Sequence, residues 1–266
     1  MQLVEPKTYI VSLGNGFESE FFDFLKNNQI KWRPNDNVSF LENLYEFAGR
    51  LCYESWEQED GTFANKNLTK VREGNDKYLD NILSVKHGSV LEHGGIVILF
   101  NNVSRVFTHE LVRHRAGTAM SQTSGRYVRY DNIKFWIPPS LKKVEHTIFH
   151  AIQNIETAIG SMSYDLYIND PKLSFNEKKK LTSALRRITP NGIANNILFS
   201  FNGRSLRHVF QMRSSEHAEE EMRFIFNPLI KRMKEKLPNL LQDISIDEDR
   251  SIYTGEETFK FKYEKV

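Results

Sequence analysis

Between Ile148 and Leu166 the apolar residues Ile148, Ile152, Ile155, Ile159, Met162 and Leu166 return every three or four positions. That spacing puts them on one face of an α-helix. The stripe constrains the chain more than any other feature, because a helix this long needs a partner layer to cover its apolar face. A second stripe, Met222, Phe226, Leu229 and Met233, repeats the demand, with Pro228 predicting a kink. Ser174 and Glu177 have the spacing of a capping box and open a further helix towards Arg187, which Pro190-Asn191-Gly192 ends. The second half therefore reads mostly as helix.

The first half mixes periods. Thr8 to Leu13 predicts a short strand ending at Gly14-Asn15-Gly16, and Gly94 to Val103 predicts the best strand, around the apolar run Ile96 to Phe100. Ile133 to Ile137 predicts a third, stopped by Pro138-Pro139. Helices are expected from Asn37, on Phe40, Leu44, Phe47 and Leu51, and over Tyr78 to Val85 and Val106 to Val112, with a loop over Gly61 to Asn67. The fold class is α/β in the α+β sense: a single mixed domain over residues 1–266, core about 40–236, with a small sheet and a helix-rich carboxyl half. The tail from Asp243, acidic and then basic, predicts loose attachment.

Five apolar residues in a row are too few to cross a bilayer, and MQLVEPKTYI lacks the basic-then-apolar order of a secretory signal. A cytoplasmic protein without membrane contact is expected. Lys plus Arg number 36 against 34 Asp plus Glu, a net charge of +2, which excludes attachment to nucleic acid by bulk charge. Cys52 is the one cysteine, so an intramolecular disulfide and a multi-cysteine zinc site are excluded. It ends an amphipathic pattern and reads as a buried packing residue.

Charge placement says more than charge total. Residues 99–130 contain Arg105, Arg113, Arg115, Arg126 and Arg129, no lysine, and one acid, Glu110. Residues 185–213 contain Arg186, Arg187, Arg204, Arg207 and Arg213, with neither lysine nor acid. Arginine without lysine suits sites that need a planar fork of donors for phosphate or carboxylate, whereas the interspersed Lys and Glu elsewhere read as a solvated surface. From Arg113 to Tyr127, small and hydroxyl residues between the arginines allow a phosphate to approach backbone N–H groups. No Gly-Lys-Ser/Thr and no G-x-G-x-x-G is present. His87, Glu92 and His93 are metal-ligand types, but their spacing is not H-E-x-x-H and no metal is expected. Ser89 reads as the cap of a helix start.

The run His87-Gly88-Ser89-Val90-Leu91-Glu92-His93, then Arg113-His114-Arg115, then Ser124-Gly125-Arg126-Tyr127, resembles the flavin-dependent thymidylate synthases, whose signature is R-H-R, about seven residues, then serine. Asn202-Gly203-Arg204-Ser205-Leu206 with Arg213 and His217 resembles that family's carboxyl-terminal block, and Arg186 falls where the family has an arginine. The resemblance spans roughly residues 45–235. It implies a homotetramer with FAD and dUMP at subunit interfaces. It also implies that NADPH reduces FAD and that methylenetetrahydrofolate supplies the carbon that turns dUMP into dTMP. FAD contacts are implied at His87, Ser89, Arg113, His114, Arg115, Gln122, Asn202, Gly203, Arg204 and His208. Contacts to dUMP are implied at Glu110, Arg113, Gln122, Ser124, Gly125, Arg126, Arg186 and Arg213. Arg213 is the implied catalytic residue, its guanidinium stabilising the anion formed when uracil N3 ionises. Ser124 is implied as a positioning hydroxyl rather than a nucleophile.

The sequence departs from the family pattern in places. Eight residues separate Arg115 from Ser124, one more than usual; Glu110 stands where some members have glutamine; Lys86 precedes His87 where glycine is frequent. The altered loop leaves two neighbouring readings open, a relative acting on UMP and one leaving a hydroxymethyl group. A nucleotide- or RNA-binding module stacking bases on Tyr127, Tyr130 and Phe135 is disfavoured by the small net charge.

Overall fold

The computed structural model describes residues 1–129 and 132–266, excepting the side chains of Tyr253 and Thr254. Tyr130, one of the stacking candidates above, lies outside the described residues. The strands are β1 (Gln2–Leu3), β2 (Lys7–Ser12), β3 (Ile96–Ser104), β4 (Thr118–Gln122), β5 (Lys134–Phe135), β6 (Ala194–Phe201), β7 (Ile244–Ile246) and β8 (Phe259–Phe261). The helices are α1 (Ser19–Asn27), α2 (Phe40–Tyr53), α3 (Asn75–Ser84), α4 (Arg105–Leu111), α5 (Glu145–Ser163), α6 (Phe175–Leu185), α7 (Gly203–Arg213), α8 (Glu220–Lys236) and α9 (Glu248–Thr254). The mixed α+β class follows directly. The chain forms two compact units, one of residues 1–9, 98–115 and 119–199, the other of residues 10–97, 116–118 and 200–266.

The first unit holds most of a four-stranded sheet in the order β2-β3-β6-β4, and a parallel pair β1-β5 with Gln2 opposite Lys134. The long stripe is covered only over its first four members. Ile152 and Ile159 are buried, and Ile148 and Ile155 partly so, against Ile133, Phe135 and Ile193. A π-helical turn, Tyr164–Ile168, then follows α5. It is wider than an α-turn, so Leu166 stands exposed and Tyr167 takes the buried place, while Met162, before the turn, is exposed too. The expected capping box on α6 is present, with Ser174 and Glu177 bonded reciprocally.

The second half is mostly helix as expected, with strand β6 as an element its sequence did not predict. Asn195, Ile197, Phe199 and Phe201 alternate inward along it. Asparagines at Asn195 and Asn196 disguised that period-two pattern. Strand β4 likewise replaces what read as a polar loop.

In the second unit, α2 forms where expected, with Ser39 as its cap. Its buried face is Leu41, Glu42, Tyr45, Glu46, Gly49 and Arg50, while Leu51, from the expected stripe, is exposed. Charged residues can occupy this core because each is bonded. Glu46 accepts from Arg50 Nε (2.8 Å), Asn75 Nδ2 (2.7 Å) and Trp32 Nε1 (2.9 Å). Glu42 accepts from the backbone N–H groups of Asn239 (2.6 Å) and Leu240 (2.8 Å). Cys52 is exposed, not buried, because the last turn of α2 has left the core. Met222, Phe226, Leu229 and Met233 of α8 are fully buried, and the helix runs on past Pro228 to Lys236.

The tail is not loosely attached. Strands β7 and β8 pair antiparallel, with Ile244 opposite Phe261. Asp243 is buried in a two-point ion pair with Arg207 of α7, at 2.7 and 2.9 Å. Leu240, Leu241 and Ile244 have no exposure. The acidic composition concealed a residue whose charge is used internally.

Candidate active site

Within the first unit, the turn Pro190-Asn191-Gly192 positions α4. Arg105 N–H donates to the Ile193 carbonyl (3.2 Å) and Val106 N–H to that of Asn191 (3.3 Å). Ser104 caps the helix by accepting from Phe107 N–H. This start directs Thr108 inward, and Thr108 Oγ1 accepts from Gln122 Nε2 at 2.9 Å. The next residue, Thr123, donates its N–H to the Asn196 carbonyl of β6 at 3.0 Å. Gln122 is therefore held from both sides.

Beyond it the chain turns tightly. The Ser124 carbonyl accepts from Tyr127 and Val128 N–H, its Oγ accepts from Arg126 N–H at 3.3 Å, and Gly125 is buried. Arg113, Arg115 and Arg126 are exposed, and their guanidinium groups form no ion pair or hydrogen bond among the described residues. Arg186 caps the end of α6 and is equally exposed; among the described residues its guanidinium forms no bond, and no bond joins it to the Gln122–Arg126 turn. Glu110 and His114 are half-buried.

Within the second unit, Asn202 caps α7: its Oδ1 accepts from Ser205 N–H (2.8 Å) and its own N–H donates to Ser205 Oγ (3.0 Å). The Gly117 carbonyl accepts from Asn202 N–H and Ser205 Oγ, both at 3.0 Å. Gly117 has φ +68°, and a Cβ there would lie 2.3 Å from Asn202 Nδ2, so only glycine fits. Gly203 is buried, where a Cβ would lie 2.7 Å from the Tyr45 hydroxyl oxygen. A side chain there would displace Tyr45. Arg204 Nη1 pairs with Glu92 Oε1 at 2.6 Å and its Nε donates to the Val266 carbonyl at 3.2 Å. Glu92 thus serves an arginine, a role its metal-ligand chemistry did not suggest. His208 is exposed one turn further on.

Arg207, grouped above with arginines free for an anion, is committed to Asp243 and is structural. Arg213, the last residue of α7, is half-buried and lines an open groove of about 770 Å³ with Met212, His217, Arg250, Phe259 and Lys260.

His87 precedes a 3-10 turn, Gly88–Glu92. Ser89 is not its cap, since the turn begins one residue earlier, and Ser89 is exposed within it. Tyr53, which sequence spacing did not single out, places its hydroxyl 3.1 Å from His87 Nδ1. Both line a cavity of about 720 Å³ with Asn65, Tyr78, Asn81 and Val85. Burial raises the Tyr78 phenol above its ordinary value.

The family model for thymidylate synthase complementing protein matches residues 38–239. Flavin-dependent thymidylate synthases from Corynebacterium diphtheriae and Mycobacterium avium are each 30% identical to this chain, over 86% and 84% of its length and 90% and 87% of their own. A UMP/dUMP methylase from Streptomyces cacaoi, solved with 5-Br UMP, shares its fold at TM-score 0.60 and 12% identity, over 91% of this chain and 95% of that one. Thymidylate synthase X from Helicobacter pylori, solved with FAD and dUMP, superposes at TM-score 0.51 and 20% identity, over 76% and 90%. The matched segment takes in every residue that carried the resemblance, and the chain belongs to the flavin-dependent thymidylate synthase family.

Proposed function

We propose that this chain makes dTMP from dUMP as a homotetramer, with methylenetetrahydrofolate as carbon donor and NADPH as reductant of bound FAD. The observation that carries the substrate reading is the set of guanidinium groups on Arg113, Arg115 and Arg126, unpaired among the described residues beside a turn that Gln122 and Ser124 hold in place. Unpaired guanidinium forks beside backbone donors suit a phosphate monoester. Arg113, Gln122, Ser124, Gly125, Arg126 and Arg186 are assigned to dUMP. Glu110 is assigned to orienting Arg113 or to the ribose or base, because a carboxylate repels a phosphate.

The second unit fits a flavin. The cavity beside His87 has aromatic walls in Tyr53 and Tyr78 and a volume of about 720 Å³, within the usual span for cofactor sites. Arg204 supplies a cation nearby in sequence to the Asn202 cap. His87, Ser89, Asn202, Gly203, Arg204 and His208 are assigned to FAD, together with Arg113, His114, Arg115 and Gln122. FAD, once reduced, supplies the hydride that completes the methyl group.

The protein's own part is to bind, orient and ionise. Arg213 lowers the cost of removing the N3 proton by placing a fixed positive charge at the uracil edge, and the resulting anion makes C5 more nucleophilic. Ser124 orients the nucleotide through its hydroxyl. No enzyme thiolate is needed for this route.

Purified protein tests the flavin reading at once: FAD absorbance, or its recovery on reconstitution, is expected. A folded, colourless protein that takes up no FAD would overturn it.

A further inference from the structure

The face of α5 opposite its isoleucine stripe carries two histidines one turn apart, His146 and His150. Both are exposed, and their Nε2 atoms stand 3.1 Å from each other. The two rings meet edge to face with centres 4.3 Å apart, and Phe149 meets the His150 ring in the same way at 5.9 Å. The backbone beneath the pair is fixed, because Ile152 and Ile159 on the other face are buried. Glu145, next to the pair in sequence, is taken by Lys142 at 2.5 Å. Among the described residues no third histidine, cysteine, aspartate or glutamate joins the two in a metal-binding group. An exposed hydrogen bond between two imidazoles adds little to stability.

We propose that His146 and His150 form a two-nitrogen chelate for a divalent first-row transition ion of the Zn²⁺ kind. Residues four apart on a helix project side by side, so this spacing presents two ring nitrogens to one ion. With metal–nitrogen bonds of about 2.0–2.1 Å, nitrogens 3.1 Å apart subtend roughly 100° at the metal, close to the tetrahedral angle. The ion enters with almost no ring movement. It takes the place of the hydrogen between the rings, and both imidazoles ligate in the neutral form with their proton on Nδ1. Imidazole pairs select Zn²⁺, Ni²⁺ and Cu²⁺ over Mg²⁺ and Ca²⁺, which prefer oxygen. Water fills the remaining positions, so the ion is exchangeable. Val144 gives the start of α5 no side-chain cap, and an ion bridging residues 146 and 150 staples that first turn. The site shares no residue with those assigned to FAD or dUMP and does not depend on those assignments.

The test titrates Zn²⁺ into the purified protein by isothermal calorimetry, for the parent, His146→Ala, His150→Ala, the double variant, and His93→Ala as a control outside the pair. The parent should show a Zn²⁺ site that each single variant weakens by at least about 10-fold, since losing even an outer partner of a metal ligand costs that much. The double variant should bind no worse than either single one, because a chelate is lost with its first ligand. His93→Ala should bind like the parent. Saturating Zn²⁺ should raise the thermal midpoint of the parent and leave that of the double variant where it was. The assignment is wrong if the parent takes up no Zn²⁺, if either single variant binds like the parent, or if His93→Ala weakens binding as much as they do. A parent midpoint that Zn²⁺ does not raise would overturn it as well.

Discussion

Replacing Asp243 by alanine leaves the Arg207 guanidinium in the interior without its counter-charge. In the folded chain the Arg207 side chain is 4% exposed and that of Asp243 is 0% exposed. The pair makes two N–H to O contacts, at 2.7 and 2.9 Å, and Asp243 also accepts from Tyr263 N–H at 3.1 Å. After truncation Arg207 keeps, among the described residues, the neutral carbonyls of Leu240 (2.8 Å) and Tyr263 (3.2 Å). Removing one partner of such a buried pair costs about 3–5 kcal/mol. With a urea slope of about 3 kcal/mol per molar for a chain of this size, the midpoint should fall by about 1 M or more. Urea unfolding at one fixed protein concentration, followed by far-ultraviolet circular dichroism, measures it. The apolar double variant Arg207→Met/Asp243→Leu should recover most of the loss, because the pair's own net worth is small. Arg207 also anchors the helix that bears Arg204 and His208, so flavin retention should weaken with Asp243→Ala. A midpoint shift below about 0.3 M would refute the idea that this pair clamps the tail.

Arg213→Ala should lower turnover about 100-fold while FAD content stays near that of the parent; an equal loss of flavin and rate would contradict its catalytic role. Cys52→Ala should keep most of its dUMP-to-dTMP rate. Abolished chemistry in a folded, FAD-loaded Cys52→Ala protein would argue for a thiolate mechanism instead. Burial raises the Glu42 carboxyl above its ordinary 4.5, outweighing the hydrogen bonds from Leu240, Ser39 and Asn239. The folded state then holds a proton that the unfolded chain has released. Stability from this group is present below about 4.5 and is lost as pH rises through the raised folded value. Relative to Glu42→Gln, the parent should therefore lose unfolding free energy over that window, and a flat or rising difference would contradict the assignment.

What the sequence disclosed was periodicity and motif. The Met222–Met233 stripe, the Ser174 capping box and the Ile96–Phe100 strand all form as their spacing requires. It could not disclose polar groups satisfied inside the fold. Glu42, Glu46 and Arg50 break the apolar pattern of α2, yet they are its buried face, because their partners lie far along the chain, at Asn75 and Asn239. Arg207 looked like its neighbour Arg204 until Asp243 was placed beside it. The same limit hid β6, whose inward Asn195 interrupts an alternating strand. At the candidate site the arginines and the Ser124 turn were legible as residue types at motif spacing. Tyr53 beside His87 was not, since only the tertiary fold brings them together.

The central claim is that this chain converts dUMP to dTMP with a flavin and a folate. The most direct measurement incubates the FAD-loaded protein with NADPH, methylenetetrahydrofolate and either dUMP or UMP, and identifies the nucleotide product by mass. The account predicts a methyl group on dUMP, formed only when both NADPH and the folate are present. A hydroxymethyl product, preferential methylation of UMP, or an unchanged nucleotide with fully reduced flavin would contradict it.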